Sequence, residues 1–277
     1  MTQAEIVVRK PSLDFDRPIE RYYIGGNVIR THVFNALNLT FPEGERFFVK
    51  AVNDHKREIR DAALLDDVRA FSAQEGQHAH QHERFFAAMR RQGYKIDRFL
   101  AHFHDLGNYA RDLPRAVRLA ITAGAEHYTA TIAMLLLDEN LLANSDPTMR
   151  ELITWHAIEE MEHKHVAYDT LLAAYPRSSY PLRVYGFLIA TLVIFGYVTY
   201  AFRFLMRQDA RAKRVTRVQI EDSRRELRQA TERRFRQRLR RALLRYLRPG
   251  FHPNQCDDRA LLDRNLAQWA WRSESRA

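Results

Sequence analysis

Two Glu-x-x-His pairs, Glu75/His78 and Glu160/His163, are the residues whose types and spacing most clearly suit chemistry. Residues three apart share one face of a helix, so each pair can aim a carboxylate and an imidazole at the same point. Glu45 and Glu126 lie on two other stretches of the chain. A helical bundle that holds two metal ions takes one Glu from each of two helices and one Glu-x-x-His from each of the other two. Glu45, Glu75, His78, Glu126, Glu160 and His163 supply that set in order.

Helical angles extend the set. At about 100° per residue, His82 falls within roughly 60° of Glu75 and His78, and His156 within roughly 60° of Glu160 and His163. With Glu159 at the edge of that face, these are additional ligands or the partners that orient the ligands. Glu162 and His165 point away, so the second Glu-x-x-His of that stretch reads as a decoy. His55, His80, His102 and His104 read as solvated surface. Glu45 is preferred to Glu43 because Phe41, Phe48 and Val52 lie on its side, whereas Glu43 can serve a helix start. Glu126 shares its face with Leu119, Thr122 and Ala130, where a lone carboxylate is costly and a metal removes the cost. Tyr128 and Trp155 adjoin candidate ligands and read first as core aromatics. The single cysteine, Cys256, excludes an internal disulfide and CxxC-type sites. Any metal is then held by His and carboxylate, which suits iron first, with manganese or zinc as alternatives.

The elements that must position these residues are helical. Apolar residues recur at helical spacing and strand signals are scarce. Residues 1–40 read as an irregular arm with a short strand at Tyr22–Val33. Helices are expected from just after Pro42, over 61–92 with a stop at Gly93, from Pro114 to about Leu142, and from Pro147 to Ala174. Four long helices with one longer connection, 93–113, predict an all-α, ferritin-like four-helix bundle over 41–180. An apolar helix (181–206) and a basic helical segment (207–277) follow.

Charge is unevenly spread. The chain carries a net +10, yet Arg203–Arg248 alone holds 17 Lys/Arg against five Asp/Glu. Leu227, Phe235, Leu239, Leu243, Leu244 and Leu247 interleave with these cations, as in a basic amphipathic helix drawn to anionic lipid. No stacking or recognition motif supports nucleic acid. Val184–Phe202 contains no charged side chain and has about the length of a bilayer crossing. A crossing that kept the basic tail inside would export the metal domain. A helix buried on the bundle or lying at the membrane interface is therefore preferred. The charged first 25 residues lack a signal-peptide core, which predicts a cytoplasmic protein associated with the inner membrane.

Phe-Pro-x-Gly-Glu-x-Phe-Phe (41–48), Gln-Glu-x-x-His-x-x-x-His (74–82), Glu-His-Tyr-Thr-Ala (126–130) and Trp-His-x-x-Glu-Glu-x-Glu-His-Lys (155–164) together resemble the bacterial "predicted metal-dependent hydrolase" family, as does Arg-Pro-Gly-Phe-His-Pro (248–253). The resemblance covers about 20–255. It implies a ferritin-like fold and places Glu45, Glu75, His78, His82, Glu126, His156, Glu160 and His163 at motif positions. The family name implies hydrolysis by a metal-activated water. The ligand pattern itself favours a di-iron oxidase or oxygenase acting on an apolar or lipid-like substrate. No nucleotide or flavin fingerprint is present, so an oxidase would need an external reductase. A non-enzymatic metal-binding or membrane-binding role is the remaining alternative.

Overall fold

The computed structural model describes residues 5–256 and 258–274, and its described residues are helical apart from turns, extended segments and one isolated bridge, Ile24 to Ser145. Four segments build the bundle: α1 (Val28–Asn53), α2 (Ala62–Arg91), α4 (Arg115–Asp138), and α5 (Pro147–His163) continued by α6 (Val166–Ala174). The connection between α2 and α4 carries α3 (Asp97–Arg111). α7 (Ser179–Arg211), α8 (Arg217–Glu226), α9 (Ala230–Arg245) and α10 (Arg259–Glu274) complete the chain.

Local chemistry accounts for most boundaries. Asp61 caps α2 by accepting from the Ala63 N–H, and Asp146 caps α5 ahead of Pro147. α2 ends at Gly93, whose φ of 82° favours a residue without Cβ. α1 departs from the expected start after Pro42: it begins at Asn27, whose side chain accepts from the Arg30 N–H, and runs through Pro42. The expected strand at Tyr22–Val33 is therefore replaced by a turn and the first turns of α1. The reason is that α1 buries polar as well as apolar residues. Thr31, His32, Asn35 and Asn38 face inward, so apolar periodicity does not reveal the stripe. Each finds a partner inside the protein, such as Asn35 Oδ1 accepting from the Tyr23 hydroxyl at 2.9 Å.

Side-chain contacts fix the helix directions. α1 lies antiparallel to α2, with Asn53 beside Ser72 and Asn38 beside His82. α2 lies antiparallel to α5, with Gln74 beside His163 and His82 beside His156. The expected fourth helix breaks at Lys164 and His165, which turn out toward Asp258 and Asp67. This all-α arrangement is compatible with the ferritin-like bundle.

Two apolar clusters close the bundle's ends. Phe85, Met89, Leu152, Trp155 and Ile158 pack at one end with Leu13 and Phe15 of the N-terminal segment. Val52, Val68, Phe71, Leu119 and Val166 pack at the other. Burying one such side chain contributes roughly 1.5–3 kcal/mol. Between the clusters lies a layer of buried carboxylates and imidazoles.

α7 is a fifth long helix on the bundle rather than a detached appendage. Gly124 and Gly186 let it approach α4: a Cβ at Gly124 would lie 2.8 Å from the Phe187 Cα. Phe187, Ala190, Ala201 and Leu205 are buried, while the opposite face of the helix is open. Its length and composition would also satisfy a membrane crossing.

Candidate metal centre

Glu45, Glu75, His78, Glu126, Glu160 and His163 are all buried and all converge on the layer between the two apolar clusters. Ligand atoms of Glu75, Glu126 and His163 lie within 4.8 Å of one another, as do those of Glu45, His78 and His156, and those of Glu75, His78 and Glu160. Each of these groups could hold a metal ion, and Glu75 belongs to two of them.

The inner atoms lack hydrogen-bond partners. Both carboxylate oxygens of Glu45, Glu75 and Glu126, Oε2 of Glu160, Nδ1 of His78 and Nε2 of His163 are buried and unpaired. An unmade hydrogen bond costs about 1–3 kcal/mol for a neutral group and more for a charge. Cations seated among these groups would satisfy them.

The outer atoms, by contrast, are held, and the holding fixes which nitrogen each imidazole turns inward. Gln74 Nε2 donates to the Val7 carbonyl and to Glu162 at 2.9 Å, so its Oε1 is the acceptor for His163 Nδ1 at 2.9 Å. His163 thus presents the Nε2 lone pair to Glu75, Glu126 and Glu160 at 3.3–3.6 Å. His78 Nε2 donates to Glu159 at 3.0 Å, which leaves Nδ1 facing Glu75 at 3.6 Å. Arg9 of the N-terminal segment pairs with both Glu159 and Glu162.

A third chain reaches His156. Asn38 Nδ2 donates to the Phe34 carbonyl at 2.9 Å, so Asn38 Oδ1 accepts from His82 Nδ1 at 2.6 Å. His82 Nε2 then accepts from His156 Nδ1 at 2.7 Å. The network, which assigns the tautomers, leaves a lone pair on His156 Nε2 aimed at Glu160 Oε1, 2.8 Å away. Two lone pairs at that separation need a proton or a metal ion between them.

Electrostatics agree with this demand for positive charge. Burial would lower the pKa of His78, but the hydrogen bond to Glu159 and the negative charge of Glu75 and Glu159 hold it up at about 10. Burial opposes protonation of His163 as well, yet Glu126 and Glu160 raise it well above the ordinary imidazole value. Burial pushes Glu126 up to about 8 and Glu45 well above the usual carboxylate range. Burial and the neighbouring His156 keep His82 well below the usual imidazole value.

An apolar cavity of about 450 Å³ meets this layer at His82, His156 and Glu160. Phe41, Phe47, Ile121, Ala133, Leu136 and Ile194 are among its walls.

The sequence model of the family described as "Predicted metal-dependent hydrolase" matches residues 7–257. The chain belongs to that family. No curated protein and no solved structure matches the chain. Membership of this metal-dependent hydrolase family gives the buried His/Glu layer a chemical context, and it supports hydrolysis rather than the oxidase expected from ligand pattern alone.

The structure therefore brings all nine predicted residues to one place, with Glu159 and His82 outside the layer as partners of imidazoles. Glu162, expected to point away, does so but is buried under Arg9 and Gln74. His55, expected at the surface, is buried between Ala51 and Tyr175. Sequence reasoning missed Arg9, Asn38 and Gln74. Gln74 adjoins Glu75 and lies within the 74–82 motif, which was the available signal; Arg9 and Asn38 act only through tertiary contacts. Trp155 packs edge-on against His78 and Tyr128 bonds Thr191, in keeping with core roles.

Proposed function

We propose that this chain is a dinuclear metal-dependent hydrolase. Glu75, Glu126 and His163 would hold one ion and Glu45, His78 and His156 the other, with Glu160 grouped beside Glu75 and His78. The observation that carries the reading is the convergence of unpaired buried oxygens with three imidazole lone pairs, each turned inward by an outer hydrogen bond. A metal pair in such a site supplies a water acidified for attack and a clamp for the substrate's oxygens. The chain's own residues do the rest. Glu159 and Gln74 orient His78 and His163, and the Asn38–His82 pair orients His156. Burial opposes the charge of Glu160, but His163 and His156 hold its carboxyl well below the usual range, so it faces His156 Nε2 as a carboxylate. The apolar wall keeps bulk water from the cavity side and selects an apolar substrate group.

A second reading, oxidation by a di-iron centre, is favoured by one observation: four glutamates against three histidines is a carboxylate-rich layer, and it opens on an apolar cavity. One experiment separates the two. Protein loaded with zinc or manganese is assayed against a series of acyl esters of increasing chain length, and ferrous-loaded protein is assayed for oxygen uptake. Ester cleavage that is lost on chelation supports hydrolysis. Oxygen uptake without cleavage overturns it in favour of oxidation.

A further inference from the structure

The cavity at the metal centre has a second end. Tyr109, Leu113 and Val193 line it and are also exposed at the surface, Tyr109 to 75%. The mouth thus lies between the C-terminal end of α3 and the middle of α7, and its rim is apolar. Beside it, the open face of α7 carries Tyr185, Leu188, Leu192 and Phe195, with Leu192 exposed to 75% and Phe195 to 59%. These positions, continued by Thr199, Arg203 and Arg207, recur every three or four residues and so form one stripe along the helix. The apolar part spans about 20 Å at 1.5 Å per residue. A stripe of large exposed apolar side chains marks an interaction site.

The sign and position of the charges point to the occupant. The stripe is free of charge from Tyr185 to Thr199 and then runs into exposed Arg203 and Arg207, which open a segment with 17 Lys/Arg against five Asp/Glu. The opposite face of α7 is packed on α4, so the helix offers one side to its surroundings. An apolar side edged by cations suits a helix lying in the plane of an anionic lipid surface.

We propose that α7 and the end of α3 rest on an anionic membrane surface, and that the cavity takes one acyl chain from that surface with its polar head at the His/Glu layer. The chemistry at the head rests on the hydrolase reading; membrane docking and uptake of the chain do not. A cavity of about 450 Å³ lies within the range that encloses a drug-sized molecule.

The test uses the full chain in vesicle flotation, with phosphatidylcholine alone and with added phosphatidylglycerol, while bound metal and helical content are measured in parallel. Wild-type protein is expected to float with the anionic vesicles. Leu192→Glu with Phe195→Glu, both exposed, is expected to abolish flotation with fold and metal content unchanged, and Arg203→Glu with Arg207→Glu to weaken it about tenfold. Uptake is read from the fluorescence of cis-parinaric acid. Ala110→Trp, which narrows the mouth, should weaken uptake about tenfold while flotation persists. Wild-type protein that stays in the dense fraction with both vesicles, a self-associated form that covers the stripe, or no parinaric acid uptake would overturn the proposal. Flotation and uptake by a chain that binds no metal would leave it standing and refute the hydrolase reading instead.

Discussion

Asp209 and Glu75 are both buried carboxylates on long helices, and they differ in what surrounds them. The oxygens of Asp209 accept from Tyr22 at 3.0 Å, Tyr94 at 2.9 Å and Arg21 at 3.0 Å, with His32 Nε2 also 3.0 Å away. Those groups come from the N-terminal segment, α1 and the turn after α2, so one carboxylate ties three parts of the chain to α7. Neither oxygen of Glu75 has a hydrogen-bond partner, and neither does either oxygen of Glu45 or Glu126. A buried charge surrounded by donors stabilises the fold. Buried carboxyl groups that face one another without donors do so only when something else is bound. The first arrangement is complete within the chain and the second is completed by a cation.

Substitution should therefore split stability from binding. The largest effect is expected for Glu75→Ala and Glu126→Ala, which should lose metal by more than the roughly 100-fold that outer partners command. Their metal-free stability should hold or rise, because a buried carboxyl without hydrogen-bond partners is gone; elemental analysis and denaturant melts read the two properties separately. Asp209→Ala should do the reverse. It leaves His32, Tyr94 and Arg21 without their shared acceptor and should lower stability by about 3 kcal/mol with metal content retained.

The Asp209 effect also has a pH signature. Although burial opposes ionisation, hydrogen bonds from His32, Tyr94 and Tyr22 hold its pKa below the ordinary value of 3.8. A carboxylate with a depressed folded-state pKa contributes stability above its unfolded pKa and loses it as the pH falls through the folded one. The stability gap between wild type and Asp209→Asn should thus be constant near neutrality and close only below pH 3.8. A gap that closes well above that value would show that the carboxylate is not held by its donors.

Smaller effects belong to the residues that aim the imidazoles. Gln74→Ala and Glu159→Gln should weaken metal binding about 10–100-fold without unfolding the chain, as measured by chelator competition. Arg9→Ala, one contact further out, should weaken it by less than about tenfold. Equal losses for Arg9 and Gln74 would mean that the N-terminal segment holds the ligands directly.

How much of this was legible in the sequence follows from where the information lies. α2 matched its expected limits because Asp61 and Gly93 are local signals, a side-chain cap and a positive-φ stop. The spacing of Glu75/His78 and Glu160/His163 on their helices was equally local, so those groups could be placed on common faces without a structure. The start of α1 was hidden because its buried stripe is partly polar, with His32, Asn35 and Asn38 satisfied only by residues brought in by folding. The inward lone pair of His156 was hidden for the same reason. It depends on a relay from the Phe34 carbonyl through Asn38 and His82, two of whose links cross between helices. The two-sided character of α7 could not be read from a charge-free run, since the run looks the same whether one face or all faces are covered.

The most direct test of the central claim is metal analysis of the purified chain after loading with iron, manganese or zinc, set beside Glu75→Ala. The account predicts about two ions per wild-type chain, and none in a variant that remains folded. A wild-type chain that binds no ion under any loading, while as stable as its Glu75→Ala counterpart, would contradict it.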